Sequence, residues 1–283
     1  MKLDQRRKYY LVLDCETATL PYAANYEGAA RQKIAIAKPL IYDLGWQIID
    51  RQGRVYDSRK YLISEIFSVP SVFNTAYYAS KRPKYLELLH NNEIVLTDWN
   101  TAAEALVEAL DAVEAVGAYN SMFDYKKAIP FTELYISKLY SQDFFNWESF
   151  QNKICEDIAS GHTRESNKVF EPDVFRFRGK AYPLFDLWGM SCEHLLNNDD
   201  YKRMCLDNGW TTASGKYFKT SAETAYRFLN EDYDFEEAHM ALDDAIIESE
   251  LFAAIVKKSL KNLTIGITYF PFRILGKVEN FNY

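Results

Sequence analysis

The 283-residue chain is long enough to bury one large core or two small ones. A hydrophobic share of 48% and a charged share of 26% are those of an ordinary globular protein, and no run nears the roughly 18 uninterrupted apolar residues of a membrane span. The net charge of −7 excludes holding nucleic acid through an overall basic field. Any such contact is local, through basic patches or bound cations, which favours an enzyme at strand ends over a protein that coats strands.

In chain order, the segment Met1 to Lys8 is too polar to begin a secretory signal, and the protein is expected in the cytoplasm. Tyr9-Tyr10-Leu11-Val12-Leu13 is short and apolar and predicts a buried strand ending at Asp14. Residues 42–50 predict a second strand. Arg51-Gln52-Gly53 is turn-like, and Arg54 to Ile63 completes a hairpin. Residues 64–92 look mainly helical, with interruptions near Pro70 and Pro83. Thr101-Ala102-Ala103-Glu104 matches a capping box, and Leu106, Val107, Leu110 and Val113 recur at helical spacing. Ala115 to Tyr119 predicts a short strand, and Asn120 to Lys127 the start of another helix.

Residues 131–235 look largely helical, with a polar loop around 160–168 and a hairpin tip at Thr212-Ala213-Ser214-Gly215-Lys216. From Ala238 to about Leu260 an amphipathic helix is predicted, with Leu242, Ile246, Leu251, Phe252, Ile255 and Val256 on its buried side. The last twenty residues read as an extended tail. Strands alternating with helices after a hairpin predict an α/β sheet of mixed direction. We expect a single domain over 1–283, with an insertion at about 131–235 and a tail at about 262–283. The cysteines Cys15, Cys155, Cys192 and Cys205 form no C-x-x-C pair. Cys192 and His194 are close, but no second close pair of ligands accompanies them, so buried thiols fit better than zinc.

Three acidic patches carry the chemistry. Asp14 and Glu16 are two apart at the end of a strand, and such residues point to the same face. Two carboxylates leaving water together repel unless a positive charge lies between them, and hard cations such as Mg²⁺ prefer oxygen ligands. A solvated strand end is the plain alternative. Asn120-Ser121-Met122-Phe123-Asp124 follows the Ala115–Tyr119 strand and places Asp124 in a first helical turn, where an acid also serves as a cap or complements the helix dipole. His239-Met240-Ala241-Leu242-Asp243-Asp244-Ala245 opens the amphipathic helix, whose first turn suits acids for the same reason. All three patches lie at the edge of a predicted core element.

As a set they resemble the three exonuclease motifs of the DEDDh superfamily, which includes polymerase proofreading subunits, oligoribonuclease and ribonuclease T. The D-x-E-T motif is similar to Asp14-Cys15-Glu16-Thr17, N-x-x-F-D to Asn120 through Asp124, and H-x-A-x-x-D-A to His239 through Ala245. Asp43-Leu44-Gly45 also fits the pattern. The resemblance covers residues 9–63, 100–127 and 238–256, and is loose over 131–235. Helix geometry alone would pair His239 with Asp243, four residues on. The family pattern instead points to Asp244, with the histidine on the loop entering the helix and Asp243 facing solvent.

The resemblance implies a ribonuclease H-like fold, a mixed five-stranded sheet flanked by helices with a large, mainly helical insertion. It implies a 3′-5′ exonuclease that hydrolyses phosphodiester bonds at single-stranded DNA or RNA 3′ ends and releases nucleoside 5′-monophosphates. Asp14, Glu16, Asp124 and Asp244 would hold two Mg²⁺ or Mn²⁺ ions, His239 would act as general base, and Thr17 and Asn120 would help seat the terminal nucleotide. The other reading is a non-catalytic nucleic-acid- or protein-binding module on the same fold. Two stretches, Tyr77 to Tyr85 and Phe175 to Lys180, interleave bases with aromatic rings. That pattern serves single-strand stacking, or equally a core with cations reaching to solvent.

Overall fold

Residues 9–13 carry no polar–apolar alternation because both faces of their strand are covered. A computed structural model of the chain describes residues 4, 6–141, 144–161, 170–258 and 263–281. In it these residues open β1 (Tyr9–Ala18), which continues past Asp14 to Ala18. Tyr9, Leu11 and Leu13 face one core, and Tyr10 and Val12 the other. The parity carries Asp14 and Glu16 onto the second face, beyond the end of its apolar core.

β1 pairs antiparallel with β2 (Leu40–Asp50) and parallel with β5 (Ala115–Ala118). Outside β2 lie antiparallel β3 (Val55–Ile63) and, parallel to it, β4 (Val95–Thr97). Outside β5 lie parallel β7 (Lys180–Asp186) and, antiparallel to it, β6 (Val174–Phe177). The order is β4-β3-β2-β1-β5-β7-β6.

The sheet is therefore mixed, as expected, but seven-stranded among the described residues, against an expectation of five. Two of the seven strands come from the stretch 131–235. Its described part is still rich in helices, including Ile129–Leu139, Phe144–Ala159, Asp199–Asp207 and Ala222–Asn230. The β6–β7 hairpin escapes a sequence reading because its tight turn is Arg178-Gly179, with both φ values positive, 45° and 82°. Glycine accepts that region freely, but arginine does not announce it. Phe175 and Phe177 sit in the core, while Arg176 pairs with Glu171 and Arg178 with Glu133. This second basic–aromatic stretch is thus a structural hairpin.

The helix predicted to start at Thr101 begins earlier, at Trp99, because Asp98 is its cap and accepts the Thr101 N–H at 3.0 Å. The predicted hairpin tip forms as a turn between Thr211 and Phe218. The polar loop expected around 160–168 falls mostly on residues outside those described. In the described part of the tail, Gly266 bridges to Phe185 and two short 3₁₀ turns follow, Pro271–Leu275 and Val278–Asn280. All four cysteines are buried thiols. Among the described residues no helix is long and apolar enough to cross a membrane.

The long helix Ala241–Lys258 covers the second face of the sheet, through Leu251, Phe252, Ile255 and Val256. Its first turn approaches β2 so closely that a Cβ on Gly45 would lie 2.3 Å from the Leu242 nitrogen. A backbone neighbour cannot swing aside. Gly45→Ala is therefore expected to push the helix start off the sheet and cost about 2–3 kcal/mol, lowering Tm by about 5–10 °C. A thermal scan of the variant checks this, and an unchanged Tm would show that the contact is loose.

Candidate active site

Three chain segments meet at the open end of β1. Asp14 and Glu16 extend from that strand, half-buried, opposite Gly45 and Asp43 of β2. A register shift between Glu16 and Thr17 interrupts the pairing, which resumes at Thr17 with Ile41, and such irregularities re-aim side chains.

After β5 the chain turns sharply at Asn120, whose φ of 78° and ψ of 55° are left-handed, a region asparagine tolerates better than most residues. Ser121 locks the turn. Its N–H donates to Asp186 at 3.0 Å and its hydroxyl to the Phe185 carbonyl at 2.7 Å. One short helical turn later, Asp124 heads a π-helical segment, Asp124–Ala128, a form that recurs at functional sites. It is only 2% exposed and accepts the Cys15 thiol hydrogen at 3.0 Å.

Asp244 comes from the first turn of Ala241–Lys258 and is 5% exposed, while Asp243 faces solvent. His239 lies in the loop before the helix at φ 48°, and its N–H donates to Asp244 at 3.2 Å. Because the histidine is off the helix, the rule that residues four apart share a face does not govern it, and the fifth residue on is the one that turns back toward it.

Asp14, Glu16, Asp124, His239, Asp244 and Asn120 all line one cavity of about 570 Å³. Glu16, His239 and Asp244 each bring a ligand atom within 4.8 Å of the others. Thr17 is placed differently. It lines a neighbouring cleft of about 830 Å³, which shares Phe123 with the first. Trp188, Lys219 and Phe272 form another part of the main cavity wall.

Two further acids belong to this cavity that the motifs did not single out. Glu248 stands one turn after Asp244 on the same helix face, is 2% exposed and accepts the Tyr119 N–H at 3.0 Å. Its signal was the spacing of four from Asp244, hidden by an equally acidic and exposed Glu250 nearby. Glu237 lies with its carboxylate 3.7 Å from His239 Nδ1. Nothing in the local sequence distinguishes it from Glu236.

The field in the cavity is strongly negative. Burial, and then the charges of Glu248 and Asp124, hold the Asp14 carboxyl well above its ordinary range. Burial and the neighbouring Asp244 do the same to Glu16. Burial pushes Asp124 up to about 7, and burial with Glu237 pushes Asp244 up to about 8. Glu248 is raised by burial and by Asp124. His239 moves the other way: burial, then the nearby Lys81 cation, lowers it below its ordinary value, so the neutral imidazole prevails near pH 7.

Clustered buried carboxylates that resist ionisation are what a bound divalent cation would relieve. The donor set, carboxylate oxygens with one imidazole, suits a hard ion such as Mg²⁺ or Mn²⁺. The residues present therefore fit such an ion.

No family model matches the sequence, and no curated protein matches it. Among solved structures, the chain is similar to cell-death related nuclease 4, with 12% identity and a TM-score of 0.35 over 89% of this chain. The match spans 65% of the length of that structure. It is also similar to a 3′-exonuclease solved in 3′-end specific recognition of a histone mRNA stem-loop. There the identity is 8% and the TM-score 0.40, over 93% of this chain and 87% of the other. At these values neither structure assigns a residue or an activity to this protein.

Proposed function

We propose that the protein is a metal-dependent 3′-5′ exonuclease of the DEDDh type, hydrolysing phosphodiester bonds at the 3′ ends of single-stranded DNA or RNA. The observation that carries this is convergence: four acids from three distant segments, and one histidine, line the same cavity. Asp14, Glu16, Asp124 and Asp244 are the residues that would hold Mg²⁺ or Mn²⁺. Ions bound there would neutralise the scissile phosphate and stabilise charge developing on the attacking and leaving oxygens.

The remaining chemistry belongs to the chain. His239, kept neutral by burial and by Lys81, takes the proton of the attacking water. Glu237 beside Nδ1 favours the imidazolium that results. The Asp244 carboxylate ties down the histidine backbone. Asn120 in the main cavity, and Thr17 in the adjoining cleft, seat the terminal nucleotide. The product is a nucleoside 5′-monophosphate.

Incubation with a 5′-labelled single-stranded oligonucleotide and Mn²⁺ or Mg²⁺ is expected to give a ladder of shortened products, which EDTA abolishes. A circular strand is expected to survive. His239→Ala should lower the rate about 10²- to 10⁴-fold while the metal concentration for half-maximal activity stays close to wild type. An oligonucleotide that binds but is never shortened under any of these metals would favour a binding module instead.

A further inference from the structure

His239 occupies a left-handed backbone conformation in a loop, φ 48°, which a non-glycine residue holds only when its surroundings impose it. Those surroundings are Asp244, which accepts the His239 N–H, and residues 78–85, part of one of the two stretches that interleave bases with aromatic rings. The Tyr78 ring stacks on the His239 imidazole, with centroids 4.3 Å apart and planes at 15°. Lys81 donates its ammonium to the Ala238 carbonyl and sits 4.8 Å from the Tyr78 ring centroid. Tyr85 donates to Asp43 Oδ2 at 2.8 Å, and the same oxygen accepts the Ala241 N–H at 3.0 Å. Two side chains of one segment thus hold positions 238 and 239 directly, and a third reaches position 241 through Asp43.

The segment is itself anchored. Arg82 donates to the Phe67 carbonyl at 3.1 Å and lies 5.0 Å from the Phe67 and Phe73 rings, and Tyr85 is buried. Of the two tyrosines that begin the stretch, Tyr77 is 90% exposed, whereas Tyr78 is turned inward. The cations Lys81 and Arg82, which could have met phosphates, are committed to backbone carbonyls and rings.

We propose that Tyr78, Lys81 and Tyr85 form a clamp that positions His239, with the Tyr78 ring setting the plane of the imidazole. Glu237, 3.7 Å from Nδ1, limits rotation of the ring within that plane. Tyr78 is a positioning residue: it acts through the histidine. This rests on the exonuclease reading above, in which His239 is the base. A base held in one plane keeps its lone pair on the attacking water, and a loose one spends most of its time misaimed.

The test compares wild type, Tyr78→Ala and Tyr78→Phe in the full chain. Tyr78→Ala is expected to lower kcat about 10- to 10²-fold, with KM and the Mn²⁺ concentration for half-maximal activity unchanged. Tyr78→Phe, which keeps the ring, is expected to restore kcat to within about threefold. Proton NMR of the metal-free protein supplies a readout independent of turnover. The chain has four histidines, so the His239 ring signal is the one missing from His239→Ala. Ring current from the stacked tyrosine holds that signal upfield in wild type and in Tyr78→Phe, and it should move downfield in Tyr78→Ala. Full kcat in Tyr78→Ala, failure of Tyr78→Phe to rescue, or an unmoved His239 signal would each overturn the clamp. An inactive wild type with the shift pattern intact would instead refute the exonuclease reading and leave the clamp as a purely structural grip.

Discussion

Asp14→Asn protein is expected to lose at least about 10³-fold in hydrolysis rate and yet to melt at a higher temperature than wild type in EDTA. Both effects follow from one placement. Burial first, and then the charges of Glu248, Asp124, Asp244 and Glu16, raise the proton affinity of Asp14. Asparagine has nearly the same shape and no charge, so it removes the repulsion without opening a cavity. The gain is on the order of 1–3 kcal/mol, which moves Tm up by about 3–8 °C.

The loss of activity comes from the same carboxylate. In the proposed site Asp14 is one of four acids that would hold the ion, and ion-mediated stabilisation of a phosphoryl transition state is worth several kcal/mol, about 10³-fold or more in rate. Saturating Mn²⁺ should reverse the order of melting. Wild type gains about 3 kcal/mol when the ion is at 100 times its dissociation constant, and the variant gains less. The oligonucleotide ladder and paired thermal scans, with and without metal, read all of this. A variant that still trims the strand at the wild-type rate would remove Asp14 from the site.

The second large effect concerns pH in the absence of metal. Asp124 is raised to about 7 and Asp244 to about 8, both from an ordinary value of 3.8. A folded carboxyl that holds its proton more tightly than the unfolded one stabilises the fold fully below the unfolded pKa. That stability is lost as pH rises through the folded pKa. In EDTA, Tm is therefore expected to fall from about pH 5 to pH 8 and to level off above it. Each group contributes up to about 1.4 kcal/mol per pH unit across that interval. A total of a few kcal/mol, or about 5–10 °C, is expected.

Mg²⁺ or Mn²⁺ should flatten the curve, because the ion takes the place of the protons and binds best where the acids are already ionised. Acids elsewhere respond in the opposite sense. Asp111, held below its ordinary range by Lys180, and Asp98, held down by Thr101, lose their contribution as pH drops. The optimum in EDTA should therefore lie near pH 5 and shift upward on adding metal. A Tm that is flat from pH 5 to 8 without metal would mean that the carboxylates are not packed against one another.

How much of this could be read from the residues depends on how local the cause is. The parity of β1, with Tyr10, Val12, Asp14 and Glu16 on one face, is a two-residue period and is fully visible in the sequence. The hairpin of β2 and β3 and the amphipathic helix Ala241–Lys258 were visible for the same reason. The buried side of that helix was visible only in part. Leu251, Phe252, Ile255 and Val256 are buried, but Leu242 and Ile246 are only half-buried. The acids Asp244 and Glu248 occupy buried positions that hydrophobicity would never assign to them. The β6–β7 hairpin has no legible turn signal, because a left-handed arginine occupies the first position of its turn.

The sequence by itself determined the periodic elements and, through motif resemblance, a set of five candidate residues. These depend on neighbours within a turn of helix or a stride of strand, and such neighbours are fixed by chain geometry. Only the tertiary structure decided that β7 joins the central sheet, that Glu248 and Glu237 share the cavity, and that Tyr78 lies against His239, 161 positions along the chain. Burial, desolvation and stacking are properties of what surrounds a side chain. A lysine that grips a carbonyl and one that reaches into water are the same letter until the fold supplies the partner.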